Sequence, residues 1–325
     1  MRFPRCHSST IIALPDGSLL AAWWNGSQEG WSDVGSPWDD TGNDLVIRAS
    51  RRPAEKMHWE PPCIIADTPD TTDSNPLFLV APGGSELWFF HRMGAPWFKL
   101  MWKKSTDLGH TWSKPEIFWD KPGYTLRSSI LTLSNEDIFI PVMTYTSPDH
   151  ILTKAASAFI YSADRGKSWK TTKPIITEPH SNEPTAIQRS DGSLLAYLRP
   201  YDPEPGKRFL WQSESFDRGR TWSKGVRTAI KNPSCAAQLL TLRNGHVVLA
   251  FNDSRENRSP LNLALSLDDG HTWSYKRTLE DAPGRFSYPT LTQSADGHIH
   301  VSYTFRRTHI KHAEVNEAWI MEKPW

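Results

Sequence analysis

Short apolar runs recur along the chain, and each one follows a turn rich in Asp, Asn, Gly or Ser. The runs read SLLAAWW, SELWFF, DIFIPV, SLLAYL, HVVLAF and HIHVSY, and another apolar run precedes each turn. Apolar runs rich in β-formers on both sides of such turns predict six units of strand, tight turn and strand. The turns are Leu14–Gly17, Gly83–Gly84, Ser134–Glu136, Ser190–Gly192, Arg243–Gly245 and Ala295–Gly297.

The spacing of the turns indicates how these units are arranged. The last three turn glycines, Gly192, Gly245 and Gly297, are 53 and 52 residues apart, and about fifty residues form one four-stranded propeller blade. Six turns therefore predict an all-β six-bladed propeller with four strands in every blade, and we expect residues 1–325 to form this single domain. The first interval is longer because of a polar loop over residues 25–43, and loops of this kind are often functional.

A second repeat, Ser-x-Asp-x-Gly-x-Thr/Ser-Trp, closes blades two to five. Its four copies, the Asp boxes, begin at Ser105, Ser162, Ser215 and Ser266. The Asp accepts hydrogen bonds from turn amides, the Gly supplies a positive φ, and the Trp buries a large ring. These roles need no substrate, so we predict that the boxes are peripheral turns away from the substrate pocket. Blade one has a degenerate copy that keeps Trp59, and blade six has none.

Composition and charge exclude several classes of function. The formal net charge is +1, so electrostatics does not favour nucleic acid or an anionic membrane as a partner. No run of 18 apolar residues is present, so no membrane span is predicted. Three scattered cysteines form neither a disulfide framework nor a metal motif, and no cofactor is implied. The N-terminal residues lack the pattern of a secretory signal, which slightly favours the cytoplasm over secretion.

Four positions outside the boxes resemble the sialidase superfamily, whose members are also called Asp-box or BNR-repeat proteins. Glu183 lies nine residues before the turn glycine Gly192, and Arg208 stands in a Gly-Lys-Arg context. Arg258 precedes the box of blade five, and Tyr288 lies in the stretch SYPTL. The resemblance implies a propeller enzyme in which Glu183 polarises a Tyr288 nucleophile. It also implies that Arg208 and Arg258 hold the carboxylate of an acidic sugar.

The chemistry of these residue types agrees with such roles. Planar arginine forks are well suited to bind a carboxylate, and a tyrosine beside a glutamate can act as a glycosidase nucleophile. Each residue also has a structural alternative. Arg208 and Arg258 can be solvated loop residues, while Tyr288 can pack between blades and Glu183 can serve a turn.

Two positions depart from the sialidase pattern. The family carries its first carboxylate-binding arginine ten residues before the first turn glycine, and His7 occupies that position here. A neutral histidine cannot replace a bidentate fork, and one lost charge-assisted hydrogen bond costs about 1.5–3 kcal/mol. The family's acid/base aspartate follows the first inner strand. This points to Asp33, with Asp39, Asp40 or Asp44 as alternatives in the same loop.

Three further segments, CHSST, EGWSD and YTFRRTHIKH, resemble a divergent branch of predicted neuraminidases or BNR-repeat-like proteins. Relatives in that branch act as lyases on rhamnose–glucuronate linkages. The resemblance adds Asn75 and Arg127 as pocket-lining residues and His309 as a basic group near the closing strand. Arg199, on the strand ahead of Arg208, is another candidate for substrate binding, and its structural alternative is a salt bridge at the rim.

Three functions fit these observations. The first is a sialidase-type glycosidase acting at an acidic terminal sugar, with Tyr288, Glu183 and Asp33 in catalysis. The second is a polysaccharide lyase that cleaves a glycosyl-uronate linkage, with His7 and Tyr288 as base and acid. The third is a propeller that binds glycans or proteins without catalysis. An acidic carbohydrate is the expected partner, and both enzyme hypotheses require that these residues face one pocket.

Overall fold

The computed structural model describes residues 5–26, 45–94, 97–146 and 154–325, and the sheets in these ranges form the six blades of a β-propeller. The predicted all-β fold with six blades is confirmed. Each blade is an antiparallel sheet whose neighbouring strands follow one another along the chain. Apolar clusters lie between adjacent blades, because each sheet must bury its apolar face against another sheet.

In blade three the innermost strand is interrupted, so that two short segments, Tyr124–Leu126 and Leu131–Thr132, both pair with the same neighbour, Ile138–Thr144. The strands of the first three blades are β1 (Arg5–Ala13), β2 (Leu19–Gly26), β3 (Val46–Arg52) and β4 (Cys63–Ala66) in blade one; β5 (Asp73–Val80), β6 (Leu87–Met93), β7 (Lys99–Ser105) and β8 (Glu116–Trp119) in blade two; and β9 (Tyr124–Leu126), β10 (Leu131–Thr132), β11 (Ile138–Thr144), β12 (Ala156–Ser162) and β13 (Lys170–Thr171) in blade three.

Blade six has three strands in the described residues, so the expectation of four strands in every blade is wrong there. The strands of the last three blades are β14 (Ser181–Gln188), β15 (Leu194–Pro200), β16 (Phe209–Ser215) and β17 (Val226–Lys231) in blade four; β18 (Gln238–Thr241), β19 (Val247–Asn252), β20 (Leu261–Ser266) and β21 (Tyr275–Glu280) in blade five; and β22 (Phe286–Gln293), β23 (Ile299–Phe305) and β24 (His309–Val315) in blade six.

After β24 the chain leaves blade six and returns to the outer edge of blade five. It forms the short helix α1 (Glu317–Met321), and the Lys276 amide on β21 then donates to the Lys323 carbonyl at 3.0 Å. A 3₁₀ turn, Pro205–Lys207, is the other helical segment of the described residues. Neither of these described helices is long and apolar enough to cross a membrane.

The Asp boxes form turns that share the same hydrogen bonds. In blade five, Asp268 Oδ1 accepts from the Thr272 amide at 2.8 Å, and the Gly270 amide donates to Ser266 Oγ at 2.9 Å. A Cβ on the box glycine of blade three would clash with Trp88 of blade two, so the turn fits tightly against the neighbouring blade. The same carboxylate contacts recur at Asp107, Asp164 and Asp217.

The ring closes between blade six and blade one without a shared sheet in the described residues. Across this seam the Cys6 amide donates to the Arg307 carbonyl at 3.0 Å, and the Ser8 amide donates to Thr304 Oγ1 at 3.1 Å. Strands β1 and β22 also pack side by side. The seam therefore brings the first and last inner strands together beside the central channel.

The innermost strands of four blades carry the same bulge. In it, two consecutive residues lie opposite a single residue of the neighbouring strand. In each bulge one residue, nine positions before a turn glycine, has a positive φ. A left-handed residue on a bulge redirects its side chain away from the regular strand alternation. These residues are Ser8 (58°), Asn75 (51°), Glu183 (44°) and Tyr288 (55°), and blades three and five add Ser128 (71°) and Ser234 (57°) on their inner segments.

Candidate active site

Tyr288 lies at the centre of the candidate site, on the bulge of β22. Its half-buried ring lies near the guanidinium carbons of Arg127 and Arg258, which are 4.1 and 5.5 Å from the ring centroid. Arg199 Nη1 is 3.4 Å from the phenolic oxygen, and the His7 ring is 4.5 Å away between centroids. Five blades therefore contribute to this one cluster, in which cations contact a tyrosine ring.

Glu183 neutralises one of these cations. The register of β14 and β15 pairs Asn182 with Arg199, and the adjacent bulge places Glu183 Oε2 2.6 Å from Arg199 Nη1. Burial opposes ionisation of Glu183, but the charges of Arg199 and Arg127 outweigh it and hold its pKa below the usual value. The same Arg199 nitrogen contacts the phenol of Tyr288, so the carboxylate and the tyrosine are connected through it.

Arg127 is 2% exposed and packs against the tyrosine ring. Its Nη1 donates to Ser8 Oγ at 2.7 Å, and Ser8 Oγ donates to Asn75 Oδ1 at 2.9 Å. Asn75 Nδ2 then donates to the Leu126 carbonyl at 2.7 Å. These hydrogen bonds join the bulges of blades one and two to blade three. Arg127 and Asn75 are both buried, and their role in contact with substrate stays a prediction.

His7 lies behind the tyrosine ring and is 1% exposed. Its Nδ1 is 2.8 Å from Thr304 Oγ1, and its Nε2 has no hydrogen-bond partner in the described part of the chain. Burial, followed by the charges of Arg307 and Arg258, lowers the pKa of His7 well below its usual value. His7 is therefore neutral at neutral pH and does not supply the cation that the sialidase pattern has at this position.

Replacing His7 with Asn is expected to make the free energy of unfolding fall less as the pH is lowered. The histidine titrates near 6.5 in the unfolded chain and well below that in the folded one, so the wild type loses stability as the pH falls below 6.5. One such histidine contributes a slope of up to about 1.4 kcal/mol per pH unit. The free energy of unfolding by urea, compared between neutral pH and about pH 5, should fall less for His7→Asn than for the wild type.

The exposed His309 provides the matched control for this measurement. His309→Asn should lose as much stability on acidification as the wild type, because it leaves the buried His7 in place. Equal losses in His7→Asn and the wild type would contradict a buried, neutral His7.

A cleft of about 610 Å³ opens beside the tyrosine and is lined by Arg199, Arg208, Arg258 and Arg285. Arg208 Nε donates to a backbone carbonyl at 2.8 Å, and Arg258 donates to a serine hydroxyl at 3.1 Å and a backbone carbonyl at 3.3 Å. Within the described ranges, neither of these two arginines forms an ion pair with a carboxylate. Their charges are therefore available to an anionic ligand.

The charge balance of the cleft favours an anion. Its lining contains two acidic residues in the described part of the chain, and Asp202 is already paired with Arg227 at 2.6 Å. Glu256, the other one, is exposed to solvent. None of the lining residues belongs to an Asp box, as expected for peripheral turns.

The structure places most of the residues selected from the sequence in one cluster: Tyr288, Glu183, Arg258, Arg199, Arg127, Asn75 and His7. Arg208 lies farther along the cleft, and Arg199 is the arginine that contacts both Glu183 and Tyr288. His309 is exposed at the start of β24 and contacts Thr308 at 2.9 Å, so it does not line the cleft. Four further candidates lie outside the described residues, namely Asp33, Asp39, Asp40 and Asp44.

The sequence reasoning missed three residues that hold the site together. Ser8 connects Arg127 with Asn75, Thr304 contacts the buried histidine, and Ser234 Oγ lies 3.4 Å from Arg199 Nε. One signal for Ser8 was present, because it stands nine residues before a turn glycine, as Glu183 and Tyr288 do. Thr304 and Ser234 have no such local signal, because their contacts join distant parts of the chain.

Comparisons with other proteins agree with this architecture. Residues 17–301 match the BNR repeat-like domain family. A sialidase from Micromonospora viridifaciens is 28% identical over 236 residues, which cover 66% of this chain and 35% of that protein. A sialidase from Bacteroides fragilis is 26% identical over 306 residues, which cover 86% of this chain and 54% of that protein. The chain thus spans about a third to a half of the length of these curated relatives.

Solved structures share the fold at low sequence identity. A Hadza microbial sialidase has a TM-score of 0.79 at 20% identity, covering 97% of this chain and 66% of its own. A protein of unknown function from Dyadobacter fermentans has a TM-score of 0.78 at 17% identity, covering 96% and 95%. The intramolecular trans-sialidase from Ruminococcus gnavus has a TM-score of 0.76 at 14% identity, covering 97% and 95%. These structures establish the fold, and the family match over most of the sequence shows that the chain belongs to the BNR repeat-like domain family, with a sialidase-like propeller.

Proposed function

We propose that the protein is a glycosidase of the sialidase type that removes a terminal acidic sugar from a glycan. The observation that carries this proposal is the position of Tyr288, half-exposed, among Arg127, Arg199 and Arg258, two of which line a cationic cleft. A nucleophile in contact with cationic groups that line a cleft supports a group-transfer reaction on an anionic substrate. The matches to two sialidases support the same class of reaction.

In the proposed reaction, the Tyr288 oxygen attacks the anomeric carbon while the glycosidic bond breaks. The phenolic proton passes to the ionised Glu183, and Arg199 Nη1 stabilises negative charge on the tyrosine oxygen. Asp33 protonates the leaving oxygen and then accepts a proton from the water that hydrolyses the glycosyl–tyrosine bond. Glu183 returns its proton to the tyrosine, and the two displacements retain the anomeric configuration.

The substrate carboxylate is held by Arg258 and Arg208, whose guanidinium groups line the cleft without carboxylate partners in the described residues. We call Arg258 and Arg208 the carboxylate clamp. Because His7 is neutral, this clamp has one arginine fewer than the sialidase pattern. The loss of one charge-assisted hydrogen bond, about 1.5–3 kcal/mol, corresponds to roughly 10- to 100-fold in affinity. We therefore expect weak turnover of simple sialosides, although an acidic sugar still binds.

Assays of sialosides, glycosyl uronates and a neutral glycoside, carried out side by side, test this function. We expect a new reducing end from an acidic glycan, slow release from simple sialosides, and no release from the neutral glycoside. Arg258→Ala should raise KM for the acidic substrate by about tenfold or more, because it removes a charged hydrogen bond. Arg243→Ala, on the exposed turn between β18 and β19, is the control and should leave KM unchanged.

Other outcomes of this assay would select the other functions. An unsaturated, ultraviolet-absorbing product would identify a lyase, although the burial of His7, its hypothetical base, gives that reaction no structural support. Binding of an acidic glycan without turnover would favour a binding propeller. Fast turnover of sialosides would show that a neutral His7 is compatible with an efficient clamp. If no acidic glycan binds, Arg208 and Arg258 do not form a binding site for a substrate carboxylate.

A further inference from the structure

Three side chains with metal-binding atoms meet on one face of blade six. His300 is directly opposite Glu314 in the ladder between β23 and β24, and His312 precedes Glu314 by two residues, so all three share one side of the sheet. His300 Nδ1 lies 3.1 Å from His312 Nε2 and 3.7 Å from Glu314 Oε2. Two ligands bound tetrahedrally at zinc distances are about 3.3 Å apart. These two separations are close to that value, and the ligand atoms of all three residues lie within 4.8 Å of one another, so they can reach one shared ion.

The second ring nitrogen of His300 has the partner that a metal ligand requires. Nε2 lies 2.8 Å from Ser294 Oγ, and that hydroxyl donates its own proton to Asp296 or to the His298 carbonyl. Ser294 Oγ is therefore the acceptor of the Nε2 proton, which leaves the lone pair of His300 on Nδ1, facing His312. A hydroxyl or carboxylate behind the ring fixes the tautomer of ligating histidines in the same way.

His300 is buried and His312 is half-buried, so both imidazoles are largely shielded from solvent. Histidine binds metals through the lone pair of an unprotonated ring nitrogen. The charge of Arg52 opposes an ion nearby, but the same side chain fixes the carboxylate of Glu314 at 2.6 Å. Each carboxylate oxygen has a further acceptor site, which remains for the metal.

We propose that His300, His312 and Glu314 form a binding site for a divalent transition metal, with zinc as the ion bound. Two histidines and one glutamate form a three-ligand set for this ion, with water in the fourth position. The site lies at the seam, where Arg52 and the Trp59 ring of blade one contact Glu314 and His312. Binding fixes the last strand against the first blade and stabilises the closed ring by mass action. The inference is independent of the proposed function.

The test uses the full chain without a histidine tag, stripped of metal by a chelator and then titrated with Zn²⁺ or Co²⁺. We expect one ion per chain, visible d–d absorption of bound Co²⁺ that is lost when Zn²⁺ is added, and a higher melting temperature with either metal. His312→Gln should weaken binding by more than about 100-fold, because even outer-shell partners of a metal contribute 10- to 100-fold. His298→Gln, a half-buried histidine of the adjacent turn that lies outside the three-ligand set, is the matched control and should bind as the wild type does.

A second variant keeps the test decisive if His312→Gln does not fold. Glu314→Gln retains a hydrogen-bond acceptor for Arg52 and removes the anionic ligand, so it should also weaken binding. The proposal is overturned if the wild type shows no stoichiometric binding, because the two rings then form only a hydrogen-bonded pair. It is equally overturned if both ligand variants bind zinc as tightly as His298→Gln. Glycosidase assays do not enter this test, so its outcome does not depend on the function proposed above.

Discussion

Tyr288→Phe is expected to reduce turnover of the acidic substrate by about 10²–10⁴-fold, the range typical of a group that takes part in proton transfer and bond formation. The variant removes only the phenolic oxygen, whose one described contact is the long 3.4 Å approach of Arg199. The ring keeps its packing against Arg127 and His7, because phenylalanine has the same outline. We therefore expect a melting temperature close to that of the wild type, measured on the same preparation as kcat.

Tyr201→Phe provides the matched control, because it removes a hydroxyl from a tyrosine that lines the adjacent cleft. It should keep most of the activity. If Tyr288→Phe unfolds, the tyrosine is a packing residue and the alternative reading of this position is correct. If Tyr288→Phe stays folded and fully active, the nucleophile must be another group.

Glu183→Gln is expected to cost both stability and activity. The variant keeps the shape of the side chain but leaves the charge of Arg199 in a site where both partners are 11% exposed. Removing one partner of a buried ion pair typically costs about 3–5 kcal/mol, because the remaining charge is neither solvated nor paired. We expect a loss in the free energy of unfolding of about 3 kcal/mol, measured by chemical denaturation at neutral pH.

A double variant separates this electrostatic effect from damage to the backbone. Glu183→Gln combined with Arg199→Met removes both charges and should recover most of the lost stability, while activity stays low. Glu204→Gln is the control, because its ion pair with Lys207 is exposed and contributes at most about 1 kcal/mol. If the double variant is as unstable as Glu183→Gln alone, the left-handed conformation of this residue, and not its charge, determines the cost.

The fold could be predicted because its signals are local. A turn such as Ser190–Gly192 between two apolar runs encodes one strand pair, and the repetition of that unit encodes the propeller. Blade six has three strands and not the predicted four, because the chain after β24 pairs with blade five. This pairing depends on contacts between residues that are distant in the sequence.

The candidate site could be predicted only in part. Glu183 was recognisable because it stands nine residues before a turn glycine, and Tyr288 because it lies in the stretch SYPTL before the last blade. The contact between Arg199 and Glu183 depends on the register of two strands and on a bulge, so sequence context favoured Arg208 as the clamp arginine. The position of Arg127 under the tyrosine ring depends on Ser8, which lies 119 residues away in the chain.

The repeated bulge has a consequence for how such proteins diversify. Serine, asparagine, glutamate and tyrosine occupy the same left-handed position in four blades, with φ values between 44° and 58°. The backbone there does not depend on which side chain it carries, while the apolar residues that pack the blades lie elsewhere on the strands. Evolution can therefore exchange a polar, acidic or aromatic group at one blade without redesigning its core. New chemical groups can be placed in the central cluster by single substitutions around an unchanged ring.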